Sequence, residues 1–513
     1  MSTALHPAGE FRPDWIAALG VRITRLVTDS RQVRPGDTFV AYPGGQVDGR
    51  NFIAQAIASG ANAVIWEAQH FSWNADWRVP NLAVRELRKH AGALADHVYA
   101  QPSEQLWMVG ITGTNGKTSC SHWLAQSFTA LGRKAALIGT LGNGFPGALQ
   151  PTANTTPDAI RVHGLLAEYV QQGAQAVAME VSSHALEQGR VNGVRYDVAL
   201  LTNLSRDHLD YHGDMSSYAA AKRRLFDWQH LKYAVVNLDD AFGSELAEQL
   251  QDAAVEAIGY GLTEQALQQA ERLGMRMVYG DRLSMDAQGF NLQVHSSWGG
   301  GELRSNLLGR FNAANMLGSL AVLLVSGVAL EDALCQLGTL RAVAGRMQTL
   351  GGRGTPAVVV DYAHTPDALE KVLDALHELT APAGGKLICV FGCGGDRDRG
   401  KRPMMGKVAA QRADICIVTS DNPRSENPHD IIAAILPGVE EGAAEKGGRF
   451  EVVEDRAQAI AQAVRLARAA DTVLVAGKGH EDYQEIDGVK HVFSDVVEAQ
   501  RALHAWQSGG VQS

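Results

Sequence analysis

The stretch LWMVGITGTNGKTSCSHWLAQSFTALGRKAALIGT, residues 106–140, decides the fold of this chain. An apolar run typical of a buried strand leads into a glycine-rich turn, which opens an amphipathic helical segment and then a second apolar strand. This order predicts a β-α-β unit of a parallel sheet. The glycine-rich turn then lies at the N-terminus of the helix, where backbone N–H groups favour the binding of phosphate.

The turn GITGTNGKTS, residues 110–119, is a variant of the phosphate-binding loop of nucleotide-binding proteins. Ile111 stands at the position of the usual first glycine, so Gly113 and Gly116 must provide the tight turn. In such loops the lysine, here Lys117, reaches the β- and γ-phosphates, and the following hydroxyl, here Thr118, binds Mg²⁺. The sequence therefore predicts a site for ATP or another nucleoside triphosphate.

Outward from this loop, the chain divides into three regions with α/β patterning. At 513 residues it is too long for one hydrophobic core, since domains average ~150 residues. Residues 275–305 alternate as antiparallel strands do, and a second series of apolar strands begins at residue 356. We predict α/β domains at 1–102, 103–344 and 345–513, with largely parallel sheets in the second and third.

Composition excludes several classes of protein. The net charge of −10 argues against general binding to nucleic acid or to anionic membranes. No run of ~18 apolar residues predicts a membrane span, and the N-terminal segment lacks the apolar core of a secretory signal. The five cysteines show no paired metal-ligand spacing, and Cys389 and Cys393 are typical of small buried residues in a reducing compartment. These features predict a cytoplasmic protein.

Two clusters of carboxylates and histidines follow neighbouring predicted strands. MEVSSHAL, residues 179–186, has Glu180 at a strand end, and TNLSRDHLDYHG, residues 202–213, has Asp207 and His208 beyond the next strand. Oxygen ligands suit Mg²⁺, and the carboxyl ends of parallel strands meet at one edge of a sheet. The sequence therefore predicts a metal–nucleotide site beside the phosphate loop.

Short motifs spread over nearly the whole chain resemble those of one enzyme family, the Mur ligases of peptidoglycan synthesis. In chain order they are GTNGKTS, NTTPD, MEVSSHAL, TNLSRDHLDYHG, YAAAKRRLF, GRFNAANMLG, GRM, DYAHTPDAL, FGCGGDRDRGKRP, DNPR and GKGHEDYQ. The resemblance implies a small N-terminal domain that binds a UDP moiety, a central P-loop ATPase domain, and a Rossmann-like C-terminal domain that binds an amino acid. It also implies a monomer.

The resemblance implies an ATP-dependent amide ligase. It is strongest for the family members that add meso-2,6-diaminopimelate to UDP-N-acetylmuramoyl-L-alanyl-D-glutamate through an acyl phosphate, with release of ADP and phosphate. Two alternatives stay open: another Mur-type or folylpolyglutamate-type amide ligase, and a nucleotide-binding regulator without catalysis. The motifs DNPR and GKGHEDYQ favour diaminopimelate over the first alternative. The presence of Lys117, Glu180, His208 and Lys222 argues against the second.

The same resemblance implies which residues hold ATP and metal. The residues implied for ATP are Gly113, Thr114, Asn115, Gly116, Lys117, Thr118, Ser119, Asn312, Asn315, Arg346, Asp361 and His364. Two Mg²⁺ ions are implied at Thr118, Glu180 and His208, and the implied catalytic residues are Lys117, Glu180, His208 and Lys222. Lys222 matches the family lysine that is carbamylated to N6-carboxylysine, an anion that belongs near a dication.

Two substrate sites are implied in the same way. The residues implied for the UDP-N-acetylmuramoyl dipeptide are Ser30, Gln46, Val47, Thr155, Thr156, Ser182, Gln188 and Arg190. The residues implied for diaminopimelate are Arg397, Asp421, Asn422, Pro423, Arg424, Gly477 and Glu481.

Arg424 is the residue that distinguishes the candidate amino acids. Lysine and diaminopimelate differ chiefly by one distal carboxylate, and arginine binds a carboxylate through two parallel N–H donors. Arg424 therefore predicts diaminopimelate as the substrate. Asn427 stands where the more usual run has aspartate, which removes a charge without changing the arginine.

Overall fold

The computed structural model of the chain describes residues 5–6, 12, 14–45, 47–152, 154–286, 288–352 and 354–509. These residues form three successive α/β regions, each built on its own sheet. The three-domain α/β fold expected from the sequence is confirmed. No helix in the described ranges has the length and apolar character needed to cross a membrane.

The N-terminal region contains a parallel sheet in the order β1-β5-β4-β3-β2. Its strands are β1 (Leu5–His6), β2 (Leu26–Val27), β3 (Thr38–Ala41), β4 (Ala63–Glu67) and β5 (Asn81–Val84). Its helices are α1 (Asp14–Ala17), α2 (Ile53–Ala58) and α3 (Leu87–Val98), with 3₁₀ turns at Ser30–Gln32, Gly49–Phe52 and Pro102–Gln105.

The central region is built on an eleven-stranded sheet. Its strands are β6 (Trp107–Thr112), β7 (Ala135–Gly139), β8 (Gly142–Phe145), β9 (Ala148–Gln150), β10 (Ala176–Glu180), β11 (Val198–Leu201), β12 (Tyr233–Asn237), β13 (Glu256–Gly261), β14 (Arg276–Asp286), β15 (Gly289–Ser296) and β16 (Gly299–Ser305). Its helices are α4 (Lys117–Ala130), α5 (Ala159–Gln171), α6 (Ser183–Glu187), α7 (Leu209–His212), α8 (Met215–Arg223), α9 (Ala241–Gln249), α10 (Glu264–Arg272), α11 (Arg310–Val325) and α12 (Leu330–Gly338).

The order of this sheet, β16-β15-β14-β13-β12-β11-β6-β10-β7-β8-β9, puts β6 between β11 and β10. Strands β10, β7, β11, β12, β13 and β14 run parallel to β6, whereas β8 runs antiparallel to β7. At the far edge, β15 pairs antiparallel with both β14 and β16, as the alternation of residues 275–305 predicted. The connection after β6 leads to β7 on one side, and the connection after the neighbouring β10 leads to β11 on the other, which opens a crevice at the carboxyl ends of β6 and β10. The phosphate-loop sequence lies in that crevice.

Apolar side chains bury both faces of the central sheet. One face packs on α4, α11 and α12, and the other packs on α5, α9 and α10. Helix α11 is buried almost throughout, so it is apolar on all sides rather than along one stripe. The strands are consequently continuous apolar runs, which is the pattern expected when helices cover a parallel sheet on both sides.

The C-terminal region has a second sheet in the order β17-β18-β22-β19-β20-β21, parallel except for β17. Its strands are β17 (Gln348–Gly351), β18 (Ala357–Asp361), β19 (Leu387–Phe391), β20 (Ile415–Val418), β21 (Arg449–Val452) and β22 (Thr472–Ala476), and a separate hairpin holds β23 (Tyr483–Ile486) and β24 (Val489–Val492). Its helices are α13 (Pro366–Thr380), α14 (Lys401–Arg412), α15 (Pro428–Lys446), α16 (Arg456–Leu466) and α17 (Asp495–Gly509), with a 3₁₀ turn at Ala381–Ala383. Cys389 and Cys393 are buried with free thiols, as expected.

Candidate active site

The phosphate loop joins the end of β6 to the start of α4. A β-carbon at Gly113 would lie 1.9 Å from Thr202 Oγ1, and one at Gly116 would lie 2.7 Å from Asn315 Oδ1. Both glycines also have positive φ angles, of 145° and 87°. The two positions therefore require glycine, and the loop closes tightly without the usual first glycine.

Lys117 folds back over this loop. Its Nζ donates to the carbonyl oxygens of Gly113 and Thr114 at 2.8 and 2.9 Å. Burial lowers the pKa of Lys117, and the carboxylates of Glu180 and Asp207 oppose that shift. The lysine is thus held at the point where phosphates would lie.

Glu180 is fully buried at the end of β10, beside the first turn of α4. Thr118 Oγ1 donates to its Oε2 at 3.0 Å, and the backbone N–H of Thr140 donates to its Oε1 at 2.8 Å. A β-carbon at Gly139 would lie 2.2 Å from Oε1, so glycine makes room for the carboxylate. Two oxygen ligands of the type that Mg²⁺ prefers are therefore adjacent at the loop.

His208 and Asp207 lie at the next strand end. The Nε2 atom of His208 is 3.2 Å from Asp207 Oδ2, and burial lowers the pKa of His208 against the pull of that carboxylate. His208 is therefore neutral near pH 7 and offers a nitrogen lone pair. No group of three or more His, Cys, Asp or Glu side chains within the described ranges forms a preformed metal cage.

Lys222 is fully buried beneath the phosphate loop. Its Nζ donates to the carbonyl oxygen of Gly113 at 2.8 Å and lies 4.5 Å from the centre of the Tyr218 ring. Burial, reinforced by the charge of Lys117, holds the pKa of Lys222 well below its usual value. Burial therefore favours the neutral form of this amine more than it does for a surface lysine.

A cavity of about 420 Å³ lies between α4, α11 and the C-terminal region. It brings together most of the residues that the sequence predicts for ATP: Asn115, Gly116, Thr118, Ser119, Asn312, Asn315, Arg346 and Asp361. Gly113, Thr114 and Lys117 belong to the same loop. His364 lies apart, with its Nε2 3.6 Å from Asp207 Oδ2 and lining a neighbouring pocket.

Side chains of the C-terminal region reach across to the phosphate loop. Arg346 Nη2 donates to Thr118 Oγ1 at 3.2 Å, and its guanidinium lies 4.4 Å from the centre of the Tyr362 ring. Asn115 Nδ2 donates to Asp367 Oδ2 at 3.4 Å, and Arg206 pairs with Asp398 at 3.2 Å. The second and third regions are thus in direct contact around the loop.

A larger cleft of about 1260 Å³ runs from β10 towards the C-terminal region. Thr155 Oγ1 is 3.1 Å from Thr140 Oγ1, Thr156 Oγ1 donates to the Glu180 carbonyl at 2.7 Å, and Arg190 Nη1 donates to the Thr156 carbonyl at 3.1 Å. The cleft is lined by residues predicted for both substrates and for the metal, namely Thr155, Thr156, Ser182, Arg190, His208, Arg397, Arg424 and Glu481.

Gln188 contacts Arg190, a residue that lines the cleft. Its Oε1 accepts from Arg190 Nε at 2.8 Å, and its Nε2 donates to the Tyr211 hydroxyl at 2.9 Å. Gln188 itself is not among the residues that line the cleft.

The described residues predicted for the UDP moiety lie outside the large cleft. Ser30 is buried and donates to Gln55 Oε1 at 2.9 Å, whereas Val47 is 58% exposed. Neither lines the large cleft, and Gln46 lies outside the described residues. A separate groove of about 540 Å³ lies between residues 24–29 on one side and residues 150–152 and 157–158 on the other, and Thr28 lines it.

A small pocket of about 170 Å³ follows the strand ends of the C-terminal sheet. Six of the residues predicted for diaminopimelate line it, namely Arg397, Asp421, Asn422, Arg424, Gly477 and Glu481. Pro423 does not line the pocket, and its carbonyl oxygen lies 1.9 Å from where a β-carbon of Gly395 would be.

The turn that carries Arg424 is tied to the hairpin strand β23. The Arg424 backbone N–H donates to the Glu485 carbonyl at 3.0 Å, and the Asp487 N–H donates to the Arg424 carbonyl at 2.7 Å. Its guanidinium donates to the Gly395 carbonyl at 2.7 Å and lies 3.5 Å from Glu485. Arg424 has a positive φ of 53°. Asn427 caps α15 through its side-chain oxygen, a role that aspartate also fills, so the departure at this position is conservative.

Two buried lysines of this pocket were missed by sequence reasoning. Lys401 lies 3.9 Å from Asp207 across the boundary between regions, and Lys478 is wholly buried beside Asn422 and Glu481. Both occur within quoted motifs, FGCGGDRDRGKRP and GKGHEDYQ. A lysine in a polar, glycine-rich loop is normally a surface residue, which is why neither was singled out.

Three family models match the chain over most of its length. They are described as the Mur ligase family, catalytic domain, at residues 22–99, the Mur ligase middle domain at residues 111–323, and the Mur ligase, glutamate ligase domain at residues 345–479.

Curated relatives match the chain almost end to end. A protein of Chromobacterium violaceum is 53% identical over 499 residues, which cover 96% of this chain and 98% of the relative. One of Pseudomonas aeruginosa is 50% identical over 485 residues, which cover 94% and 96%. Both relatives are named UDP-N-acetylmuramoyl-L-alanyl-D-glutamate–2,6-diaminopimelate ligase.

Solved structures agree with these relatives. A structure of UDP-N-acetylmuramoyl-L-alanyl-D-glutamate–2,6-diaminopimelate ligase has a TM-score of 0.65 at 37% identity and covers 94% of this chain and 95% of its own. MurF ligase from Thermotoga maritima in complex with ADP has a TM-score of 0.62 at 19% identity and covers 94% and 97%. The second likeness concerns the fold alone.

Proposed function

Because the chain belongs to the Mur ligase family, we propose that it adds meso-2,6-diaminopimelate to UDP-N-acetylmuramoyl-L-alanyl-D-glutamate, consuming ATP and releasing ADP and phosphate. Relatives at 50% identity or more, matched over nearly the whole chain, carry this activity in their names. The observation that carries the proposal is the single cleft shared by Thr156, Arg190, Arg424 and Glu481, next to the phosphate loop.

The reaction needs ATP because a carboxylate has no good leaving group at neutral pH. Transfer of the γ-phosphoryl group to the D-glutamate side-chain carboxylate forms an acyl phosphate. The amine of diaminopimelate then attacks the acyl carbon, loses a proton, and phosphate leaves as the amide forms. Several anions must meet in the first step, so charge neutralisation by Lys117, the loop N–H groups and Arg346 is the main task of the protein.

We propose that Thr118, Glu180 and His208 hold two Mg²⁺ ions with the help of ATP phosphates and water. The hydrogen bond between Thr118 and Glu180 brings two oxygen ligands of the kind that Mg²⁺ prefers next to each other. The neutral imidazole of His208 lies beyond the end of a neighbouring strand. When bound, Mg²⁺ would neutralise the phosphate oxygens. Thr118 and Glu180 would orient it at the loop.

Lys222 fits the role of the carbamylated lysine. Carbamylation requires a neutral amine that attacks CO₂ and releases a proton, and the burial of Lys222 lowers its pKa in the required direction. The resulting anion would lie against the phosphate loop, close to the proposed metal ligands.

The remaining assignments follow the same division of the chain. We propose that residues 1–102 bind the UDP moiety through Ser30, Gln46 and Val47, that residues 103–344 bind ATP, and that residues 345–513 bind diaminopimelate. The enzyme would act in the cytoplasm as a monomer without a nucleic-acid partner.

The proposal is tested by measuring phosphate release. The protein is incubated with ATP, Mg²⁺ and UDP-N-acetylmuramoyl-L-alanyl-D-glutamate, and meso-diaminopimelate, L-lysine or D-alanyl-D-alanine is added in turn. We expect rapid release with diaminopimelate only, and a product heavier by one diaminopimelate residue in mass spectrometry. Equal rates with lysine, or release only with a different acceptor, would contradict the proposal.

A further inference from the structure

Lys478 is a buried cation at the back of the amino-acid pocket. Its side chain is 0% exposed, and its Nζ lies 2.9 Å from Asn422 Oδ1, 3.1 Å from Glu481 Oε2 and 3.6 Å from Asp421 Oδ1. A buried ammonium is costly unless its donors are satisfied, and here three acceptors surround it. All three belong to residues that line the pocket.

Lys478 determines how the Asn422 amide is oriented. Asn422 Oδ1 accepts from Lys478 Nζ and also from the backbone N–H of Glu485, at 2.9 Å in each case. The amide nitrogen must therefore point the other way, and it donates to Glu481 Oε2 at 2.7 Å. A chain of hydrogen bonds runs from Lys478 through Asn422 to Glu481.

This series of hydrogen bonds engages only one of the two carboxylate oxygens of Glu481. Both side-chain donors, Asn422 Nδ2 and Lys478 Nζ, use Oε2. Within the described part of the chain, no side-chain donor to Oε1 accompanies them, and Glu481 lines both the small pocket and the large cleft. Oε1 is therefore the oxygen that can accept from a substrate.

Lys478 also partly neutralises the carboxylates at this side of the amino-acid pocket. Asp421 and Glu481 are two nearby carboxylates, and Lys478 cancels one of their charges. The neighbouring Arg456 is committed to Asp495, with two bonds of 2.7 and 2.8 Å, so it does not cancel the second. The guanidinium groups of Arg397 and Arg424 line the same pocket, together with Asp207, Asp210, Asp398 and Lys401. The pocket therefore offers both carboxylates and cations, which suits a ligand that carries an ammonium and a carboxylate group.

We propose that Lys478 is a positioning residue of the amino-acid pocket, which fixes Asn422 and Glu481 so that Glu481 receives the distal ammonium of the substrate. This inference rests on the proposed function, because it assumes a substrate with two amino-acid centres. Lys478 touches no reacting atom, and its effect passes through Glu481. It therefore acts on recognition of the distal ammonium and not on ATP.

The experiment compares K478M with wild type on two substrates. One is meso-diaminopimelate, and the other is L-2-aminopimelate, which keeps the reacting amine and both carboxylates but lacks the distal ammonium. For diaminopimelate we expect KM to rise about 10- to 100-fold in K478M, the range that corresponds to loss of one charged hydrogen bond. For L-2-aminopimelate, wild type and K478M should differ by less than about threefold, because the lost contact was never made.

A matched control is K407M, since Lys407 lies in the same domain and also contacts two carboxylates, Glu441 and Glu445, but at the surface. Its kinetics should equal those of wild type. If K478M does not purify as folded protein by circular dichroism, K478Q, which keeps an N–H donor at the buried position, replaces it with the same expected pattern.

The outcomes separate this inference from the proposed function. Failure of the wild type to use diaminopimelate would overturn the proposed function. A wild type that uses diaminopimelate, together with a K478M variant whose KM is unchanged, would overturn the inference alone. An equal loss on both substrates, or a raised KM for ATP, would mean that Lys478 only supports the fold, and this too would overturn the inference.

Discussion

Arg346 donates a hydrogen bond to the hydroxyl of Thr118 at 3.2 Å, and this bond joins the C-terminal region to the first turn of α4. The Nε of the same guanidinium is buried and has no hydrogen-bond partner among the described residues. A buried donor of this kind is costly unless a ligand supplies the acceptor. The cavity that Arg346 lines is the one that contains the candidate ATP residues, so a phosphate oxygen is the natural partner.

Replacing Arg346 by alanine is therefore expected to lower kcat by about 100-fold, because one fixed positive charge is lost where the phosphoryl group is transferred. Steady-state phosphate release measures this directly. R412A is the matched control, since Arg412 also pairs with carboxylates of the same domain but lies on the surface. A normal kcat in R346A would contradict the role given to this residue.

Arg424→Ala is expected to raise KM for diaminopimelate by about 30-fold or more, since an arginine–carboxylate fork with a buried partner is worth about 2 kcal/mol or more. KM for ATP should stay within about twofold, because Arg424 does not line the nucleotide cavity. L-Lysine should be a poor substrate for wild type, as it leaves Arg424 without a carboxylate. An unchanged KM for diaminopimelate would remove Arg424 from the substrate site.

Activity is expected to depend on dissolved CO₂ through Lys222. Protein incubated with ¹³C-bicarbonate should give a carbamate signal in ¹³C NMR, and this signal should be absent from K222A, because burial of Lys222 lowers its pKa and favours the neutral amine that reacts with CO₂. K222A should also lose most of its activity. The matched control is K232A, since Lys232 is half exposed and its Nζ pairs with Asp197 at 2.8 Å. A carbamate signal that persists in K222A would place the modification elsewhere.

Glu180→Gln is expected to raise the Mg²⁺ concentration required for half-maximal activity by about tenfold or more, because an anionic oxygen ligand is replaced by a neutral one. Titration of phosphate release with MgCl₂ measures the change. Chelation of Mg²⁺ should abolish wild-type activity, and added Mg²⁺ should restore it. E245Q, at an exposed carboxylate on α9 of the same region, should behave as wild type.

The stability of the C-terminal region should depend on pH through Glu426. Hydrogen bonds from Arg402 lower the pKa of Glu426 to about 2, from a usual value of 4.5. Because the folded-state pKa is depressed, the ion pair stabilises the protein fully above pH ~4.5, and this stabilisation is lost as the pH falls towards 2. E426Q should therefore melt at a lower temperature than wild type at pH 7, and the difference should shrink near pH 3. A difference that does not change with pH would exclude the ion pair as its cause.

Local motifs made much of this site predictable from sequence. The phosphate loop follows β6 and Glu180 is the last residue of β10, and the carboxyl ends of neighbouring parallel strands lie side by side. The pairing of Asn422 with Glu481 joins positions 59 residues apart, and the local patterns of the two segments say nothing about their separation in space. Resemblance to a family linked them where periodicity could not.

Positions that depend on the arrangement of whole regions were harder to predict. The motif pattern predicts His364 as an ATP residue, and in the structure it lies against Asp207 and lines the amino-acid pocket. The burial of Lys401 and Lys478 is not predictable from local sequence, because it depends on neighbours far along the chain. Ser30 and Val47 lie outside the large cleft, at a distance that depends on how the first region packs on the second.

The positive φ of Arg424 has a consequence for how this enzyme could change over time. A residue with a side chain costs about 1 kcal/mol in that backbone region, and glycine would relieve the cost. The Arg424 guanidinium donates to the Gly395 carbonyl at 2.7 Å and lies 3.5 Å from Glu485, so R424G would relieve the backbone and at the same time remove these contacts. Because the backbone of this turn accepts glycine, a single substitution would delete the proposed receptor for a carboxylate without requiring a new loop conformation.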